Sequence, residues 1–167
     1  MEKNPISHFL VGLIVSCILI LVNVIFIIFD LTGNTKISWL ASALNVALLV
    51  YFIMEFGKLN NNSKSFGELF SYGFKATALI TIILTAFMLV YTLIFPESVE
   101  KAIEISREQM DKNPNLTEDQ IEQALEITRK FYTPILIAGT LFATMFVGAI
   151  GSLLGAAVTK KKPTSPF

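Results

Sequence analysis

Four stretches of the chain are nearly continuous hydrocarbon, and a single long passage between the last two is not. Residues 6–29 carry no charge over 24 positions. As a helix they would reach about 36 Å, enough to cross a bilayer with about 30 Å of hydrocarbon. Lys3 precedes this run as it would in a signal peptide, but the apolar core is too long for one. Ile27, Ile28, Phe29 and Asp30 also offer no small-residue cleavage site, so the run reads as a retained first span. A short turn with Gly33 and Asn34 leads to a second span at 37–56, entered through Trp39 and left through Tyr51 and Phe52, as aromatics at a membrane interface would be. So short a connection implies antiparallel neighbours. Residues 57–65 (GKLNNNSKS) form a polar loop. Residues 66–75 (FGELFSYGFK) mix aromatics with Glu68 and Lys75 and read as an interfacial approach to a third span at 74–95. Pro96 ends that helix. The fourth span runs over 134–158.

The polar passage, 96–133, contains nine of the thirteen acidic residues. Val99, Ala102, Ile103, Ser106 and Met110 recur at helical spacing as one amphipathic stripe. Asp111 to Asn115, with Pro114, breaks it. Thr117 and Gln120 then make a capping box, and Leu116 and Ile121 are placed as a hydrophobic staple. The stripe resumes through Ile121, Ala124, Leu125, Thr128, Phe131 and Tyr132. Acids fill each first turn and bases each last turn, matching the helix dipole. Glu97–Lys101, Glu108–Lys112 and Glu126–Lys130 are spaced as i, i+4 pairs. The expected fold is an all-α integral membrane protein, four transmembrane helices with an amphipathic helical hairpin inserted between the third and fourth. Its stripes must be buried against each other, on the membrane surface or on a partner, so Val99, Ile103, Met110, Ile121, Leu125 and Tyr132 are the interaction candidates.

Composition sharpens the picture without supplying chemistry. The chain is 53% hydrophobic with a mean hydropathy of +0.64, and its formal charge is zero, with no basic stripe to suit nucleic acid. Cys17 lies inside an apolar run and reads as a small hydrophobe. One His, one Cys and no nucleophile–base pair leave no candidate for catalysis, cofactor or metal. The acid excess of the hairpin reads as a solvated face, because its carboxylates are strung along helices and not gathered in a ligand turn.

Within the spans Asn23 and Asn45 are the deepest strong hydrogen-bonders, suited to bonds between helices or, alternatively, to a substrate contact. Thr77, Thr81 and Thr85 share one helix face and can bond back to their own backbone. Glu55 and Glu68 are placed to pair with Lys75 at the interface. Gly151 and Gly155, with Gly148, Ser152 and Ala156, form rows of small residues. These rows suit close packing within the chain, with a homo-oligomer contact through span four as the other use. Lys3, Lys58, Lys64 and Lys160 to Lys162 flank the spans on the side of the termini, against Lys36, Arg129 and Lys130 on the other. The bias places both termini in the cytoplasm and the hairpin outside it.

Several of these segments together resemble a known family. They are Phe66-Gly67-Glu68 with Tyr72-Gly73-Phe74-Lys75, Arg107-Glu108-Gln109-Met110, Leu116 through Ala124, Phe131-Tyr132-Thr133-Pro134, and the terminal lysines with Pro163 and Phe167. The order resembles a bacterial membrane family known only as domain of unknown function four-one-nine-nine. The resemblance covers nearly the whole chain. It implies four spans, a bacterial inner membrane and no assigned activity. The functional expectation is a non-enzymatic membrane protein whose hairpin meets a membrane or periplasmic protein, or the lipid surface. A small transporter or channel subunit using the intramembrane polar residues is the alternative.

Overall fold

The computed structural model describes residues 6–29, 31 and 35–160. Lys3, the turn glycine Gly33 with Asn34, Lys161, Lys162, Pro163 and Phe167 lie outside that description. Among the described residues the chain forms five helices, α1 (His8–Ile28), α2 (Thr35–Leu59), α3 (Phe66–Ile94), α4 (Glu97–Asp111) and α5 (Glu118–Val158). Four of them, α1, α2 from Trp39, α3 and α5, are long and apolar enough to cross a membrane.

Two helices are longer than the hydrophobic pattern alone suggests. The third begins at Phe66, not Phe74, because Ser65 and Glu68 close a capping box. The Ser65 amide donates to Glu68 Oε2 at 2.9 Å, and the Glu68 amide to Ser65 Oγ at 3.3 Å. Residues 66–75 are therefore the first turns of α3 and not a separate interfacial segment. In the same way α5 runs unbroken for 41 residues through Pro134. A proline removes one backbone bond of a helix, and transmembrane helices tolerate the loss when neighbouring groups or local adjustments satisfy the freed carbonyl. At 1.5 Å per residue α5 is about 60 Å long, roughly twice the hydrocarbon thickness. The polar positions 118–133 are surplus to a crossing.

The breaks have local causes. Beyond α2, Asn61 and Asn62 take the left-handed region (φ 55° and 54°), which asparagine tolerates better than most residues, and the Asn62 amide donates to the Gly57 carbonyl at 2.9 Å. Pro96 sits at the N-cap of α4, where a missing N–H costs nothing. Ser7 caps α1, accepting from the Leu10 amide at 3.2 Å.

The chain divides into two compact units, Met1–Leu84 with Leu141–Phe167, and Thr85–Thr140. In the first, contact levels give the helix directions. Gly73 lies against Ser152 and Gly148 against Thr77, so α3 and α5 are antiparallel. Gly151 meets Val46 and Leu49, Gly155 meets Ile53 and Gly57 meets Thr159, so α2 and α5 are parallel. Ile6 meets Tyr72 and Gly12 meets Leu79, which makes α1 and α3 parallel. The core is Val11, Val15 and Leu19 of α1, Leu49 and Ile53 of α2, Leu69, Tyr72, Ala76 and Ile80 of α3, and Ala156 of α5. Outside it, Trp39 is 73%, Phe142 79% and Phe146 69% exposed. Apolar surface of that size facing outward suits lipid and not water.

The second unit holds the end of α3, α4 and the beginning of α5. Phe87, Tyr91 and Phe95 form an i, i+4, i+8 aromatic ladder with ring centroids 6.4 and 5.3 Å apart. Ile103, Ile121 and Leu125 form a small core with Val99 and Met110 packed against it. Arg107 pairs with Glu118, and Arg129 with Glu100 at 2.5 Å. As one number falls the other rises, so α4 and the start of α5 run antiparallel.

Candidate functional site

The α4–α5 pair is where the polar residues of the second unit gather. Its restart carries the capping box that the sequence predicts, while Leu116, the expected staple residue, is exposed. The Thr117 amide donates to Gln120 Oε1 at 3.0 Å and the Gln120 amide to Thr117 Oγ1 at 3.4 Å. Asn113 holds the preceding turn, its Oδ1 accepting from the Asn115 amide at 3.2 Å. The apolar stripes go into each other in part, and Phe131 at the end of the second stays exposed. Ile103, Ile121 and Leu125 are buried and Val99 and Met110 half-buried against them, while Tyr132 is half-buried further along α5. These five serve first as the core of the pair. The reason is simple: two facing stripes hide more hydrocarbon together than either would by waiting for a ligand.

What the pair does present is charge. A groove of about 1140 Å³ runs along it, with Ile103 and Leu125 among its lining. Six carboxylates line it, those of Glu97, Glu100, Glu104, Asp119, Glu122 and Glu126, against the cations Lys101, Arg107 and Arg129. Both arginines are committed to the ion pairs that tie the helices together. The groove is therefore net acidic.

The intramembrane candidates separate. Asn23 Nδ2 donates to the Leu19 carbonyl at 2.8 Å, a bond within α1 and not one between helices. Asn45 is buried, and its Oδ1 has no hydrogen-bond partner. On α3, Thr77 reaches Ser152 at 3.5 Å, while Thr81 Oγ1 and Thr85 Oγ1 are buried without partners and do not bond back to their helix. Asn45 and Thr81 each lie eight residues from the Ile53–Gly73 contact, in helices of opposite direction, which puts them at the same depth.

The small-residue face of α5 is occupied inside the chain. A Cβ at Gly148 would come 2.2 Å from Thr77 Cγ2, at Gly155 2.6 Å from Ile53 Cδ1, and at Gly151 3.3 Å from Val46 Cα. Ser152 donates back to the Gly148 carbonyl at 2.7 Å. Cys17 is exposed, on a face of α1 away from its buried residues. The interfacial ion pairs also differ from expectation. Glu55 pairs with Lys58 at 2.6 Å and Glu68 with Lys64 at 2.8 Å, three and four residues away in the chain, and among the described residues neither pairs with Lys75. The signal for the Ser65–Glu68 box is also present in the sequence, as S-x-x-E, and it is what extends α3 beyond its apolar run.

A chain with four helices of this length and hydropathy, wrapped in exposed aromatics and aliphatics, has the make-up of a multi-pass integral membrane protein. Residues 10–161 match the family described as protein of unknown function, DUF4199, and the chain belongs to it. No curated protein and no solved structure matches the chain.

Proposed function

We propose that the protein is a non-enzymatic component of a bacterial inner membrane, with both termini cytoplasmic. In this reading α4 and residues 118–133 of α5 form a helical hairpin outside the cytoplasm that docks a basic segment of a partner protein. The observation that carries the reading is the mutual burial of the two apolar stripes. A pair that has buried Ile103, Ile121 and Leu125 against each other, capped its restart and braced itself with two ion pairs loses little entropy on binding, and it recognises by charge. Lying flat on lipid through those stripes is disfavoured for the same reason.

The test is a photo-crosslinking residue placed at Glu122 in intact cells. A discrete protein adduct is expected, lost when Glu104→Lys and Glu126→Lys are introduced together while membrane insertion is unchanged. Absence of an adduct, or one indifferent to the charge reversal, contradicts the docking role.

A second reading, a small transporter or channel subunit, is favoured by one observation, the partnerless Asn45 Oδ1 and Thr81 Oγ1 at one depth. Unsatisfied polar atoms in hydrocarbon are costly and mark sites where polar guests pass or rest. Purified protein in liposomes should then carry a small-ion flux that Asn45→Leu lowers at least about tenfold, a change of about 1.4 kcal/mol in barrier. Flux equal to empty liposomes removes this reading.

A further inference from the structure

We propose that the first unit carries a binding site for the phosphate of an anionic phospholipid, in a pocket where the beginnings of α1 and α3 meet the end of α2. The pocket measures about 580 Å³ and is lined from three directions, by Ser7 and His8 of α1, Phe56 of α2, and Lys64, Ser71, Tyr72 and Lys75 of the α3 approach and face. Its apolar wall is rigid. Tyr72 stacks on Phe56 with centroids 3.9 Å apart and planes 10° from parallel, and meets the His8 ring edge-on at 6.4 Å. The Tyr72 hydroxyl donates to the Ile6 carbonyl at 2.8 Å, which fixes the entry of α1 against α3. An aromatic wall beside a polar mouth is the arrangement that takes an acyl–glycerol body below and a headgroup above.

The mouth is cationic. Glu68 also lines the pocket, but its carboxylate is committed to Lys64 at 2.8 Å and to the Ser65 cap. Lys75 has no ion pair among the described residues, and it stands one turn along α3 from Ser71, on the same helix face. The hydroxyls of Ser7 and Ser71 and the His8 ring add hydrogen-bonding groups around it. Basic pockets between membrane helices hold lipid headgroups in this way. Lys58 is likewise neutralised by Glu55 at this end, and the contact of Gly57 with Thr159 brings Lys160 to it. Lys75 and Lys160 are thus the two lysines of this end that no carboxylate partners among the described residues, and only Lys75 lines the pocket. The site is distinct from the α4–α5 pair and does not depend on that pair's role or on which side of the membrane this end faces.

The experiment is native mass spectrometry of the full chain in detergent, titrated with dioleoylphosphatidylglycerol or dioleoylphosphatidylcholine. The glycerol lipid should bind about fivefold more tightly than the choline lipid, and Lys75→Gln should erase the preference. Lys160→Gln is the control for general charge at the same end and should leave it intact. Inorganic phosphate distinguishes the sources. If it displaces the lipid at comparable concentration, the pocket is a site for a free phosphate anion, and the shared chemistry stands with a soluble ligand. If it does not, the ligand is the lipid. Equal binding of the two lipids, a preference that survives Lys75→Gln, or equal losses from both lysine variants overturns the proposal. Thermal melting of each variant in the same detergent separates lost binding from lost folding.

Discussion

Gly148 shows how much one hydrogen atom decides in a membrane interior. Added methyl bulk there meets Thr77, a buried β-branched side chain with little room to turn, at 2.2 Å for Cγ2 and 3.0 Å for Cβ. Gly148→Ala should cost about 1–3 kcal/mol, read as a shift in unfolding by sodium dodecyl sulfate from a mild detergent. Thr77→Ala in the same chain should return part of that loss, since the two sites touch. Gly139, with nothing within 4 Å of its would-be Cβ, should accept alanine at no cost. The sequence made this distinction only in part. The spacing of Gly148, Gly151, Ser152 and Gly155 identified the packing face, but not that Val46, Leu49, Ile53 and Thr77 fill it. Asn23 and Asn45 looked equivalent by depth. Asn23 closes a bond on its own helix, while Asn45 Oδ1 is left without one, a difference that depth does not encode.

At the scale of elements, hydrophobic runs located the spans while caps set their ends. The third helix starts eight residues before its apolar run because Ser65 and Glu68 satisfy its first amides. Helix α5 starts sixteen residues before its run because Thr117 and Gln120 do the same and Pro134 fails to stop it. Thr117→Ala should cost about 1 kcal/mol and raise hydrogen exchange at the Gln120 amide, with the spans unaffected. Exposed ion pairs are weaker. Arg107→Ala should change stability by less than about 1 kcal/mol, and less still in high salt. Ile121→Asp puts a charge into the small core with Ile103 and Leu125, and should open the α4–α5 pair to proteolysis while the four long helices stay inserted. The periodicity of both stripes was legible, as was the capping box. What periodicity does not encode is the partner of each stripe; that follows from the short Lys112 to Thr117 connection, which turns the second stripe back onto the first.

For the whole molecule the governing quantity is where the charge lies relative to the spans. Nine of thirteen acids fall between α3 and the apolar part of α5, while Lys58, Lys64, Lys75 and Lys160 collect at the end where α2 finishes and α3 begins. In the topology we propose, four crossings would leave the termini and the 57–65 loop in the cytoplasm and the α4–α5 pair outside it. Positive charge near short loops favours the cytoplasm for the former. Single-cysteine labelling tests that arrangement directly. In a Cys17→Ser background, Asn115→Cys sits in the turn between α4 and α5, and Ser63→Cys in the loop between α2 and α3. With a membrane-impermeant maleimide on intact cells freed of their outer barrier, labelling is expected at 115 at once and at 63 only after the membrane is permeabilised. Labelling at 63 before permeabilisation, with 115 protected, would place the acidic pair in the cytoplasm and contradict the account.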